Sequence, residues 1–172
     1  YSSAASDVYK RQVSGGAPLD VNVGKFFQTI GIRVFQGYGL TETSPVASIN
    51  VDRHWDVASV GKPIKSFQAK VDSESGELLL KGPSVMKGYH NQPELTAQVI
   101  DEDGWFHTGD IAEIKNGGHI YITGRIKNMI VLSGGKKVFP EEVEAVLEKS
   151  SLISEVCVFG LSRTFGSKER NC

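Results

Sequence analysis

The chain has 172 residues, 40% of them apolar, enough to bury a real core as one domain or two small ones. A formal net charge of −1 argues against broad electrostatic attraction to nucleic acid or an anionic membrane, and no apolar run approaches the roughly 18 residues a membrane span needs. Cys157 and Cys172 are far apart, and His54, His90, His107 and His119 are scattered, so no zinc site is expected and a reducing cytoplasm is the expected location.

Residues 1–12 are rich in Ser and Ala and show neither helical nor strand periodicity, so residues 1–13 read as a foreign or misread leader, with a genuine flexible linker as the alternative. Val23, Phe26, Phe27 and Ile30 fall at i, i+3, i+4 and i+7, which makes one face of a helix apolar, and Gly31 can stop it. A short strand over 32–36 runs into Gly37-Tyr38-Gly39, and Gly76 to Lys81 is a strand with an apolar centre. Pro93 suits the first turn of a helix through Val99, and Asp103-Gly104 marks a turn. Strands over 111–115 and 119–123 flank Asn116-Gly117, a strong hairpin signal. After the apolar run 129–132, Pro140 opens a helix with Glu141 and Glu142 in its first turn and Val143, Val146 and Leu147 as its expected buried face. A final strand is expected over 155–159, and residues 162–172 are polar without a terminating signal. The mixture is α/β, with β-structure dominating the middle.

Three constellations carry chemistry. Gly37 to Thr43 packs glycines, an aromatic ring, hydroxyls and a carboxylate into seven positions. Glycine lets a backbone approach a ligand, Tyr38 offers a flat face to a base, a threonine hydroxyl can reach a phosphate, and Glu42 is a hard oxygen ligand suited to Mg²⁺. A tight turn around a half-buried Tyr38 accounts for this segment equally well, and no Walker-type phosphate loop occurs. In the second, 104–110, Asp110 could accept hydrogen bonds from two neighbouring hydroxyls, as on a ribose, although an Asp after Thr-Gly is also a common turn residue. Trp105 and Phe106 read as core. In the third, Arg125 offers a planar fork for ribose or phosphate oxygens, Gly134-Gly135 is a loop, and Lys136 and Lys137 read as a solvated loop tip.

Order and spacing decide between these readings. Gly15 to Leu19, GYGLTETSP at 37–45, GELLLKGPSVMKGYHNQPELT at 76–96, GWFHTGDI at 104–111 and ITGRIKNMIVLSGGKKVFPEEVE at 122–144 form a series that resembles the adenylate-forming superfamily, the AMP-dependent synthetases and ligases. The resemblance implies an α/β fold in which residues 14–126 are the end of a large N-terminal AMP-binding domain, and 127–172 are the hinge and the start of a small α+β C-terminal domain. It implies that Gly16, Ala17 and Pro18 line the adenine pocket, with Tyr38 stacking on adenine beside Gly39. Thr41 matches the α-phosphate contact, Glu42 the Mg²⁺ ligand, Asp110 the ribose carboxylate and Arg125 the arginine beside it. Lys127 matches the hinge, and Gly134 and Gly135 the loop that shapes the thiol's approach.

The implied reaction uses ATP, Mg²⁺ and a small carboxylic acid to make an acyl-adenylate with release of pyrophosphate, then passes the acyl group to coenzyme A. The segment 122–144 looks most like the long-chain fatty acyl-CoA synthetase branch, and peripheral membrane association would suit a long-chain substrate. Nucleic acid and a membrane span are not expected. The family's phosphate loop and late catalytic lysine match nothing here, so the chain is expected to be cut at both ends and inactive alone. An acyl-carrier-protein ligase, a nucleotide-binding module without chemistry and a purely structural α/β domain are the alternatives.

Overall fold

A computed structural model describes residues 11–17, 19–50, 56–115, 117–132, 134–165 and 168–171. Its contacts divide the chain into two units, one of residues 1–108 with 112–122, the other of 109–111 with 123–172. The division falls between Ile122 and Thr123, upstream of the expected hinge at Lys127.

In the first unit, β1 (Arg11–Ser14) pairs in parallel with β2 (Arg33–Tyr38), Val13 opposite Phe35. This corrects the expectation that residues 11–13 lack strand structure. Four residues are too few to establish a period, and their pairing comes from a strand about twenty positions downstream. Between them runs α1 (Val21–Thr29), capped by the Asp20 carboxylate, which accepts from the amides of Asn22 and Val23 at 2.8 and 2.9 Å. Of the apolar stripe of α1, Val23, Phe26 and Ile30 are exposed, Phe26 at 61%, and Phe27 is half-buried. Its one buried residue is Gly24, where a Cβ would stand 2.2 Å from Val57 Cγ1.

β2 continues the sheet to β3 (Ser48–Ile49) and β4 (Lys62–Pro63), both pairings antiparallel. A second four-stranded sheet has the order β5 (Gln68–Val71), β6 (Glu77–Lys81), β7 (Phe106–Lys115) and β8 (His119–Arg125). Leu78, Leu79 and Leu80 are consecutive and all buried, so β6 is covered on both faces, as its unbroken apolar run requires. Leu78, Leu80 and Ile120 form the core with Ala47, Phe67 and Ala112. Phe106 joins the buried set as expected, whereas Trp105 is half-buried beneath the Lys70 ammonium, 4.1 Å from the ring centre. The helix α2 (Pro93–Val99) has the expected bounds. Of the Asn116-Gly117 turn, Asn116 lies outside the described residues; Gly117 and Gly118 have φ of +73° and +101°, which explains their being glycine.

The second unit carries the short antiparallel pair β9 (Ile130–Val131) and β10 (Lys137–Val138), then α3 (Pro140–Leu147). Gly134 and Gly135 therefore sit in the turn between these two strands. Lys136 and Lys137 are exposed, although Lys137 belongs to β10. Two expectations are overturned here. Val143, Val146 and Leu147 are exposed, because periodicity shows which face is apolar and not what covers it. Residues 155–159 form no strand: the Val158 amide donates to Glu144 Oε1 at 2.7 Å instead of to a neighbouring strand. The polar stretch at 162–171 folds as an antiparallel pair, β11 (Ser162–Phe165) and β12 (Lys168–Asn171).

Candidate active site

In the first unit, β2 ends at Tyr38 and the chain turns through Gly39 into a single 3₁₀ turn, Thr41–Thr43. Gly39 is there of necessity, because a Cβ would lie 1.7 Å from the Pro45 carbonyl oxygen. Thr43 holds the turn and is fully buried; its hydroxyl receives the Leu40 amide at 2.9 Å and faces the carbonyls of Leu40 and Pro45. Thr41 is exposed, leaving its hydroxyl accessible. Tyr38 is half-buried and packs against the core cluster.

Glu42 is held twice by one loop. The Met86 amide donates to its backbone carbonyl at 2.8 Å, and the Tyr89 hydroxyl donates to its carboxylate Oε1 at 2.9 Å. Burial, then the hydrogen bond to Glu42 and its negative charge, push the Tyr89 hydroxyl above the ordinary phenol pKa. Tyr89 thus contacts the candidate residue Glu42, and sequence reasoning does not single it out. It stands 47 positions from Glu42, and no periodicity joins them. The signal lay in Gly88-Tyr89 just ahead of the Pro93 helix, where a glycine at φ +149° makes a sharp corner.

Gly16 and Ala17 follow β1 and are exposed, Gly16 with φ +84°; Pro18 lies outside the described residues. His107, on β7, bonds Glu77 through Nδ1 at 2.9 Å, tying two neighbouring strands.

In the second unit, Asp110 and Arg125 come together. Asp110 is 3% exposed and accepts from Arg125 Nε at 2.9 Å, while the Arg125 side chain is 59% exposed. The carboxylate is therefore oriented, and most of the guanidinium remains open to solvent. Gly124, beside Arg125, packs under Phe139, whose ring would lie 2.7 Å from a Cβ there. Lys127 is exposed in a 3₁₀ turn, Ile126–Asn128, and Asn128 Nδ2 bonds the Glu141 carboxylate at the start of α3.

The mixed α/β elements are those of the end of the large domain and the start of the C-terminal domain of an adenylate-forming enzyme. Residues 2–90 match the AMP-binding enzyme family and residues 127–167 match the AMP-binding enzyme C-terminal domain; the chain belongs to this family. The first match begins within the stretch read as a leader. The chain is 45% identical to a protein named "Probable acyl-activating enzyme 16, chloroplastic" from Arabidopsis thaliana, over 89% of this chain and 24% of that protein. It is 39% identical to a long-chain-fatty-acid–CoA ligase of Mycobacterium bovis, over 89% of this chain and 25% of the ligase. The o-succinylbenzoate CoA synthetase of Bacillus subtilis, solved with its acyl-adenylate intermediate, superposes with a TM-score of 0.82 at 29% identity, over 94% of this chain and 34% of that one. The chain thus spans about a quarter of the length of these curated relatives. No helix among the described residues is long and apolar enough to cross a membrane.

Proposed function

We propose that the complete protein is an AMP-forming acid–thiol ligase that activates a fatty acid with ATP and transfers the acyl group to coenzyme A. The observation that carries the reading is the pair of prepared carboxylates in two family motifs. Glu42 is anchored by Tyr89 and Met86, and buried Asp110 is oriented by Arg125. In this reading Gly16, Ala17 and Pro18 line the adenine pocket and Tyr38, with Gly39 behind it, stacks on the base. Thr41 donates to the α-phosphate, and Asp110 with Arg125 holds the ribose.

Glu42 would hold Mg²⁺. Among the described residues no three His, Cys, Asp or Glu side chains group as a metal cage. A single carboxylate with substrate phosphate oxygens and water is nonetheless the usual way proteins bind this ion, so the residues fit it. When bound there, the ion would neutralise phosphate charge. A substrate carboxylate oxygen attacks the α-phosphorus, and the bond to pyrophosphate breaks. The thiol sulfur then attacks the acyl carbon, and AMP leaves with the electron pair of the anhydride bond. Neither step needs a covalent enzyme nucleophile. Lys127 is the hinge between the two half-reactions, and Gly134-Gly135 is the loop on the thiol side.

The fatty-acid branch is favoured by the similarity to the Mycobacterium bovis ligase, and the 127–172 boundary by the start of the second family match at residue 127. Cys157 is a free exposed thiol, which fits a reducing cytoplasm, with peripheral membrane contact serving to collect a long-chain acid. The 172-residue chain is proposed to be inactive by itself, since it spans about a quarter of its relatives and leaves most of the apolar face of α1 uncovered. Incubating the complete protein with ATP, Mg²⁺, coenzyme A and fatty, aryl and dicarboxylic acids tests the proposal. Acyl-CoA and AMP in equal amounts, preferentially from fatty acids, are expected. Acylation of an added acyl carrier protein and not of coenzyme A would replace the acceptor.

A further inference from the structure

Resting on that reading of Glu42, we propose that Tyr89 is a positioning residue for the cation: its hydroxyl holds Oε1 of Glu42 and leaves Oε2 as the oxygen offered to Mg²⁺. A glutamate on a one-turn 3₁₀ segment ordinarily samples several rotamers, and a ligand must stop that motion before it can bind. Here the stop is built in. The loop that supplies the Tyr89 hydroxyl also supplies the Met86 amide to the Glu42 carbonyl at 2.8 Å, so side chain and backbone are gripped from one direction.

The loop itself is braced. The Tyr89 amide donates to Thr96 Oγ1 at 2.9 Å, and the same hydroxyl donates to the Gln92 carbonyl at 2.8 Å, fastening the corner to α2. At Gly88 a Cβ would stand 2.8 Å from Thr96 Cγ2, so the backbone passes close against the Thr96 side chain, which would have to shift to admit a side chain there. Asn91 adds a second tight bend with φ +53°. A phenol also suits this task better than a cation would. It donates one hydrogen bond and leaves the full carboxylate charge for the metal, whereas Lys or Arg would compete for that charge.

The test uses the complete protein and reads binding as well as turnover. Calorimetric titration of ATP at a series of Mg²⁺ concentrations gives the half-saturating Mg²⁺ for the wild type, Tyr89→Phe, Glu42→Gln and the double variant. Tyr89→Phe keeps the ring and loses only the hydroxyl. It is expected to raise half-saturating Mg²⁺ about 10- to 100-fold, the range seen when an outer partner of a metal ligand is removed. In the Glu42→Gln background the same substitution is expected to add nothing, and the thermal midpoint without ligand should stay close to wild type. A Tyr89→Phe variant with unchanged Mg²⁺ dependence overturns the proposal, provided Glu42→Gln shifts it. An equal effect of Tyr89→Phe in both backgrounds also overturns it, because Tyr89 would then act elsewhere. If Glu42→Gln itself leaves the Mg²⁺ dependence unchanged, Glu42 is not the metal ligand and both readings fall.

Discussion

Replacing Asp110 by Ala and by Asn separates a ribose contact from a merely structural carboxylate. Asp110 is almost fully buried and accepts from Arg125 Nε at 2.9 Å, which uses one of the roughly four lone-pair positions of its carboxylate. Each charge-assisted hydrogen bond to a ribose hydroxyl contributes roughly 1.5–3 kcal/mol, which is about 10- to 150-fold in Kd. Alanine removes both acceptors, so a loss of two such bonds, roughly 3 kcal/mol at the lower end, is expected for ATP binding. Asparagine keeps one acceptor without the charge and should lose about one bond's worth, near tenfold. The pairing with Arg125 complicates stability only modestly. The Arg125 side chain is 59% exposed, so water can take over there when its partner goes. The assay is calorimetric titration of ATP into the complete protein, with thermal unfolding of each variant as the control. Unchanged affinity in both variants removes Asp110 from the site. Equal weakening by Asn and Ala refutes the argument from acceptor number.

Three further outcomes are expected. Gly39→Ala should abolish ATP binding, because the new methyl would collide with the Pro45 carbonyl and unseat the turn bearing Thr41 and Glu42; calorimetry showing wild-type affinity would mean that the turn can shift freely. Lys127→Pro in the complete enzyme should slow transfer to coenzyme A far more than acyl-AMP formation, since a restricted hinge penalises one orientation; equal loss in both half-reactions would deny the hinge. Asp72, in the turn between β5 and β6, accepts the Ser75 amide and hydroxyl, which hold its carboxyl below its ordinary pKa. Its contribution to stability is therefore present above the unfolded carboxylate range and lost as pH falls through the lower folded value, so thermal midpoints of wild type and Asp72→Asn should converge at acid pH. A gap that persists below about pH 2 would contradict this.

What could be read from sequence tracked how local the determining physics is. α2 was legible to its bounds because Pro93 fixes its start and Asp103-Gly104 turns the chain soon after its end. The β7–β8 neighbours were legible because Asn116-Gly117 marks the turn in the sequence. Strands 11–14 and 155–159 failed in opposite directions for one reason: a strand is made by its neighbour, and β1 finds β2 whereas the Val158 amide finds Glu144. The apolar stripes of α1 and α3 were identified, but burial depends on what packs there, and both are largely exposed. At the site, single motifs announced Glu42, Asp110 and Arg125 as residue types. The resemblance sets Arg125 beside Asp110, 15 positions away, whereas the Tyr89–Glu42 pair, 47 positions apart, is a product of folding that no window of sequence contains.

Formation of an acyl-adenylate by the complete protein is read from ATP–pyrophosphate exchange. Labelled pyrophosphate, ATP and Mg²⁺ are incubated with the complete protein, with and without each carboxylic acid, in the absence of any thiol. Label is expected to enter ATP only when an acid is present, most strongly with fatty acids, and this exchange is expected to be lost in Glu42→Gln. Folded protein that binds ATP yet exchanges no label with any acid would contradict the proposed adenylation.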